Sequence, residues 1–127
     1  MDTFKTKCIR DCADVELINE NRNTISQLSD QFKNVSSILN LTGNSTRLKI
    51  LHILYIDQKI CVCDLSDILN ISISAVSQQL KKLKNGNLIE SRKEAQTIYY
   101  SINSNSKKVV EHIFILFDMT LESTLKK

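Results

Sequence analysis

CVCDLSDILNISISAVSQQLKKLKN, residues 61–85, decides the fold. It reads as a short helix from about Val62 to Leu69, a turn over Asn70 to Ser72, and a second helix from Ile73 to Asn85. On the second helix Ile73, Val76, Leu80 and Leu83 recur at helical spacing and are expected to face inward. Ser72 is a good N-cap, and Gly86 stands where a helix-terminating glycine belongs. Two short helices joined by so short a turn make a helix-turn-helix. The outer face of the second helix then carries Ser74, Ser77, Gln78, Lys81 and Lys82, with Gln79 beside them. Glutamine can hold an adenine edge with two hydrogen bonds, and serine can reach either kind of base pair. Lysine supplies phosphate contacts that position without specifying. A solvated helix face has the same composition, so the charge pattern and the flanking elements must decide.

After Gly86 the period shortens. Leu88 to Glu94 and Thr97 to Ile102 are two strand-like runs separated by Ala95 and Gln96, which predicts a two-stranded hairpin. Its tip adds Arg92, Lys93 and Gln96 to the candidate DNA contacts. From Lys107 the helical period returns through Val110, Ile113, Phe114, Phe117 and Leu121. Upstream, Thr46 to Ile56 reads as a helix apolar nearly all round, hence central, with His52 inside it. Gly43 precedes it, and Asn44 or Ser45 can cap it. Asp14 to Asn21 reads as a polar helical lead-in. Ile25, Leu28, Phe32, Val35 and Leu39 then form one apolar seam on a long helix. The expected fold is mostly α with a small β-hairpin, a winged helix-turn-helix.

The 127 residues fit one domain, with residues 1–22 expected as a mobile N-terminal segment and 23–127 as the winged domain. There is no proline and there are two glycines, which agrees with long helices and few tight turns. A formal net charge of +3 is mild, but Lys81, Lys82, Lys84, Arg92 and Lys93 cluster against Glu90 alone. Such a basic stretch is the footprint of a polyanion partner. No apolar run is long enough to cross a bilayer, and the polar start lacks the apolar centre of a signal peptide. A cytoplasmic location is expected, where thiols stay reduced.

Four cysteines in that setting point to metal or redox chemistry. Cys61 and Cys63 can share an ion only if Cys61 lies outside the helix, because positions i and i+2 diverge on a helix and align on an extended segment. A helix N-terminus also favours anionic ligands. Cys8 and Cys12 would share a face if their segment were helical. Two plus two makes a four-thiolate set, usable by Zn(II) and well suited to Cd(II) and Pb(II). A reversible dithiol switch is the alternative. Buried cysteine as a small hydrophobe suits Cys61 or Cys63 singly, but not Cys8 and Cys12 among Lys7, Arg10 and Asp11. No His or carboxylate is spaced as a catalytic partner for any cysteine, so an enzyme is not expected.

Leu48-Lys49-Ile50-Leu51, Cys61-Val62-Cys63-Asp64-Leu65, Ser77-Gln78-Gln79-Leu80 and Gly86-Asn87-Leu88-Ile89 resemble, in order, the motifs of the ArsR/SmtB family of bacterial metal-responsive repressors. The resemblance covers most of the chain from Val35 to Ile102. The N-terminal pair Cys8 and Cys12 makes it most similar to the family's cadmium/lead sensors. Arsenic(III) sensors usually place a third cysteine where Ser66 stands. The resemblance implies a homodimer built on the N- and C-terminal helices, and the apolar stripes Ile25–Leu39 and Val110–Leu121 fit that independently. It also implies N-terminal ligands reaching across the dimer, operator binding without metal, release with metal, and control of metal-efflux genes. A second metal site found in relatives on the C-terminal helix has Ser104, Ser106, Phe117 and Thr120 at its positions here, and is expected to be lost. His112, Asp118 and Glu122 are expected as solvated polar residues, not substitutes. The family's frequent histidine is replaced by Gln79, and the wing tip Glu94-Ala95-Gln96 lacks its usual glycine.

Overall fold

The computed structural model describes residues 12–125, with side chains through Leu121, so the candidate ligand Cys8 lies outside the described residues. The chain forms two compact units that meet in sequence between Ser36 and Ser37.

In the first unit, Asp14 caps helix α1 (Val15–Gln27) by accepting a hydrogen bond from the Leu17 N–H at 3.0 Å. The expected lead-in and long helix are instead two helices, α1 and α2 (Ser29–Thr42), jointed at Leu28. No proline or glycine marks the joint. Hydrogen bonds from Leu28 to Thr24 and from Phe32 to Leu28, at 3.0 and 2.9 Å, keep the helical ladder almost continuous through it. That is why periodicity alone does not reveal it. The seam residues Ile25, Leu28, Phe32 and Val35 are 40–56% exposed.

The second unit holds the core. Asn44 caps α3 (Ser45–Ile56) through the Arg47 N–H at 3.0 Å. Ile50, Leu51 and Leu54 on this helix are fully buried, as an all-round apolar helix requires. His52 departs from that expectation. It is exposed, with its ring stacked on Phe117 and edge-on to Phe114, centroids 5.9 and 5.4 Å apart.

A two-residue strand β1 (Ile60–Cys61) leads into α4 (Val62–Leu69) and α5 (Ile73–Asn85), both with the expected bounds. Strands β2 (Ile89–Glu94) and β3 (Thr97–Ile102) form the hairpin. The expected hairpin is present, and β1 adds an unexpected third strand, so the antiparallel sheet has the order β1-β3-β2. Ile60 pairs with Tyr100 and Cys61 with Tyr99. Two residues are too few for an alternating pattern to betray a strand. A 3-10 turn (Ser104–Ser106) precedes the last helix, α6 (Lys107–Leu125).

Leu65, Val76, Leu80, Leu83, Leu88, Ile89, Ile102, Val110 and Phe114 close the core around α3. Each such side chain contributes roughly 1.5–3 kcal/mol relative to exposure. Ile73, expected inward, is 53% exposed because it opens the first turn of α5, ahead of the buried stripe. Gly86 does close α5, but with φ −84°; the left-handed residue is Asn87, φ 62°. A Cβ at 86 would instead meet the tip of the Leu41 side chain, which would have to turn aside. The wing turns through Ala95 at φ 56° without glycine.

Candidate nucleic-acid interface and thiol site

The second helix of the helix-turn-helix is α5. Ser72 caps it, its side chain accepting from the Ala75 N–H at 3.1 Å. Asn70, left-handed at φ 55°, turns the chain between α4 and α5, and the Ser66 hydroxyl donates to the Ile71 carbonyl at 2.6 Å. Burial of Val76, Leu80 and Leu83 fixes which face is left outside. Ser74, Ser77, Gln78, Lys81 and Lys82 are all exposed there, as anticipated. Gln79 is different: it is half-buried, and its Oε1 accepts a hydrogen bond from Arg47 Nη1 at 2.9 Å. Arg47 was not anticipated as part of this region, since a lone arginine in an apolar helix gives no signal of its partner.

Arg92, Lys93 and Gln96 are exposed on the wing. Arg92 is not a free cation. Its guanidinium pairs with Glu94 at 2.9 Å, and Lys59 reaches the other carboxylate oxygen at 3.1 Å. The Lys59 ammonium also lies 4.7 Å from the centre of the Tyr99 ring. The hydrogen bonds from Lys59, and then from Arg92, hold the Glu94 carboxyl below its ordinary value of 4.5. This three-residue clamp joins the loop before β1 to the wing. Lys59 and Glu94 are 35 positions apart, so sequence could not pair them.

Cys61 is the last residue of β1 and the N-cap of α4, with extended backbone at φ −101°, ψ 170°. The one condition the sequence set for a shared ion is met: Cys61 lies outside the helix, with Cys63 in its first turn. The Asp64 carboxylate accepts from the Cys61 N–H at 3.3 Å and anchors that backbone. Cys61 is half-buried, Cys63 and Cys12 are exposed, and all three are free thiols. Among the described residues no three His, Cys, Asp or Glu side chains converge as a complete metal site. Two thiols are half of a tetrahedral set, and the donor chemistry fits a soft ion once further ligands join. On α6, His112 Nδ1 is 2.6 Å from the Lys108 carbonyl; in the 3-10 turn before it, Ser106 donates to the Asn87 carbonyl at 2.8 Å and Ser104 is exposed. Asp118 lies near His52 on the wall of an open cavity of about 610 Å³. The Glu122 side chain lies outside the described residues.

A capped helix-turn-helix with β1 before it and the β2–β3 hairpin after it is a winged helix-turn-helix. Residues 44–91 match the family model described as "Bacterial regulatory protein, arsR family". Over 82 residues the chain is 33% identical to the "Cadmium resistance transcriptional regulatory protein CadC homolog" of Staphylococcus aureus, covering 64% of this chain and 68% of that one. The chain belongs to the arsR family. Among solved structures it is similar to reduced HlyU from Vibrio cholerae, with TM-score 0.65 and 32% identity over 72% of this chain and 96% of that one. A homodimeric winged helix-turn-helix DNA-binding domain from Mycobacterium bovis shares the fold, with TM-score 0.66 and 24% identity over 75% and 88% of the two chains. No helix among the described residues is long and apolar enough to cross a membrane.

Proposed function

We propose that this regulator is a homodimeric repressor that binds operator DNA without metal and leaves it when cysteine thiolates capture a soft ion such as Cd(II) or Pb(II), with Zn(II) a weaker-matched alternative. The observation that carries the reading is the position of Cys61, which ends the strand paired with the wing and caps the first helix of the DNA-reading motif. An ion held by Cys61 and Cys63 therefore pulls on both DNA-contacting elements. Cys8 and Cys12 complete the ligand set in this proposal, from the same chain or its dimer mate. The similarity to a cadmium-resistance transcriptional regulator supports the choice of metal class, and resistance genes are the proposed targets.

Dimerisation through the terminal helices is part of the same reading. The stripe expected on α6 is divided: Val110 and Phe114 are buried in the core of their own unit, while Ile115, Leu116, Phe117, Met119 and Leu121 are 46–61% exposed. So large an apolar surface marks an interaction site. For release, the ion must bind the free dimer more tightly than the DNA-bound one; equal affinity shifts nothing. The test is fluorescence anisotropy of a labelled operator with and without Cd(II), reduced and oxygen-free. The wild type is expected to release DNA on adding metal. A double Cys61/Cys63→Ser variant is expected to bind DNA and ignore the metal, and release by that variant overturns the mechanism.

A thiol redox switch is the second reading, favoured by exposed Cys63 beside half-buried Cys61 and by the likeness to a regulator solved in its reduced form. A thiolate-to-metal absorption band during titration decides for metal; release driven by oxidant alone decides for the switch.

A further inference from the structure

One exposed apolar side chain stands at the end of the motif that meets DNA. Ile73 opens the first turn of α5 and is 53% exposed. On an ideal helix it lies about 60° from Val76 and about 40° from Ser77 around the axis. Val76 is fully buried and Ser77 is exposed, so the inner and outer faces of α5 meet at Ile73. Side chains on a helix lean toward its N-terminus. That of Ile73 therefore leans past the end of the buried stripe Val76, Leu80 and Leu83, which is why the core leaves it out.

Its neighbours narrow what it can meet. Ser72 precedes it, Ser74 follows it, and Ser77 lies one turn on; all three are exposed and neutral. The Ser72 hydroxyl is engaged as the cap, accepting from the Ala75 N–H at 3.1 Å. The first cations of α5, Lys81 and Lys82, come about two turns later. A phosphate calls for a donor or a cation, and an isoleucine side chain offers neither. In a helix-turn-helix the N-terminal residues of the second helix are the ones that approach base edges in the major groove. The apolar group displayed there is the C5-methyl of thymine. Helix formation does not favour an exposed isoleucine at this position either, since β-branching restricts its rotamers.

We infer that Ile73 is a specificity-determining residue, packing its side chain on the C5-methyl of a thymine in the operator. This rests on the DNA-binding reading. The test uses metal-free, reduced protein and begins with selection of duplexes from a random-sequence pool by the wild type and Ile73→Ala. The variant is expected to melt within a few degrees of the wild type. It should enrich the same consensus except at one thymine, where its preference is lost. Deoxyuridine then replaces each thymine of the selected duplex in turn, removing only the methyl group, which supplies a measurement on unaltered protein. At that one position it should weaken the wild type about three- to fivefold and leave Ile73→Ala unchanged, because both remove the same contact. At other thymines the two proteins should respond alike. The inference is overturned if deoxyuridine costs the wild type nothing at any thymine, if its losses persist undiminished in Ile73→Ala at every position, or if the variant keeps the full wild-type consensus. Failure of the wild type to enrich any sequence or bind any duplex overturns the DNA reading itself.

Discussion

Glu94 shows how one carboxylate can set the charge of a whole wing. Bonded to Lys59 and Arg92, it cancels part of the positive charge that the hairpin would present to phosphate. Its carboxyl is held below 4.5, so the clamp is complete above that pH and is lost as pH falls through the lowered value. At neutral pH it is charged and fully engaged. Replacing it with Gln should therefore release two cations. The expected outcome is severalfold tighter DNA binding and a salt slope steeper by about one for each new phosphate contact, read by anisotropy across a salt series. In the proposed metal switch the cysteines would act through their own protons. Metal coordination needs deprotonated thiols, so apparent Cd(II) affinity should fall as pH is lowered, in a titration followed by thiolate absorption. Cys8→Ser should weaken the response, and Cys12→Ser should matter less if the ion is three-coordinate.

The two glycines differ in what crowds them, and the difference is measurable. A Cβ at Gly43 would stand 2.9 Å from the Leu39 carbonyl oxygen, which belongs to the rigid end of α2. At Gly86 the obstacle is the tip of the Leu41 side chain, which can turn aside. Gly43→Ala should cost about 1–3 kcal/mol in urea unfolding, and Gly86→Ala distinctly less. The helix-turn-helix was fully legible beforehand: Val62–Leu69 and Ile73–Asn85 carry clear periods, and Ser72 and Gly86 punctuate them. Three features were not legible. The joint at Leu28 leaves the hydrogen-bond ladder running, β1 is too short for a period, and the apolar character of α3 hid that His52 lies on the exposed side of it. Within the candidate DNA site, exposure of Ser74, Ser77, Gln78, Lys81 and Lys82 followed from the inward stripe. The engagement of Gln79 by Arg47 and of Arg92 by Glu94 did not, because each depends on the rotamer of a long side chain meeting its neighbour.

A chain of this size that leaves Ile115, Leu116, Phe117, Met119 and Leu121 so exposed on α6 needs a partner surface. Sedimentation at micromolar concentration should give a dimer with or without metal, and a monomer of native helicity would refute it. A different consequence lies in the smallest element. Strand β1 is held to β3 only through Ile60 and Cys61, so it is the part of the sheet with least to lose by detaching. Brief detachment lets water reach amides that the pairing otherwise shields. An ion clamped on Cys61 forbids that excursion, so deuterium uptake around residues 60–61 should slow on adding Cd(II) while the far end of the hairpin, Glu94 to Thr97, keeps its rate. The two-residue strand thus acts as a breathing point, and occupancy of the thiols becomes readable as a local slowing of the exchange clock, with no DNA in the tube.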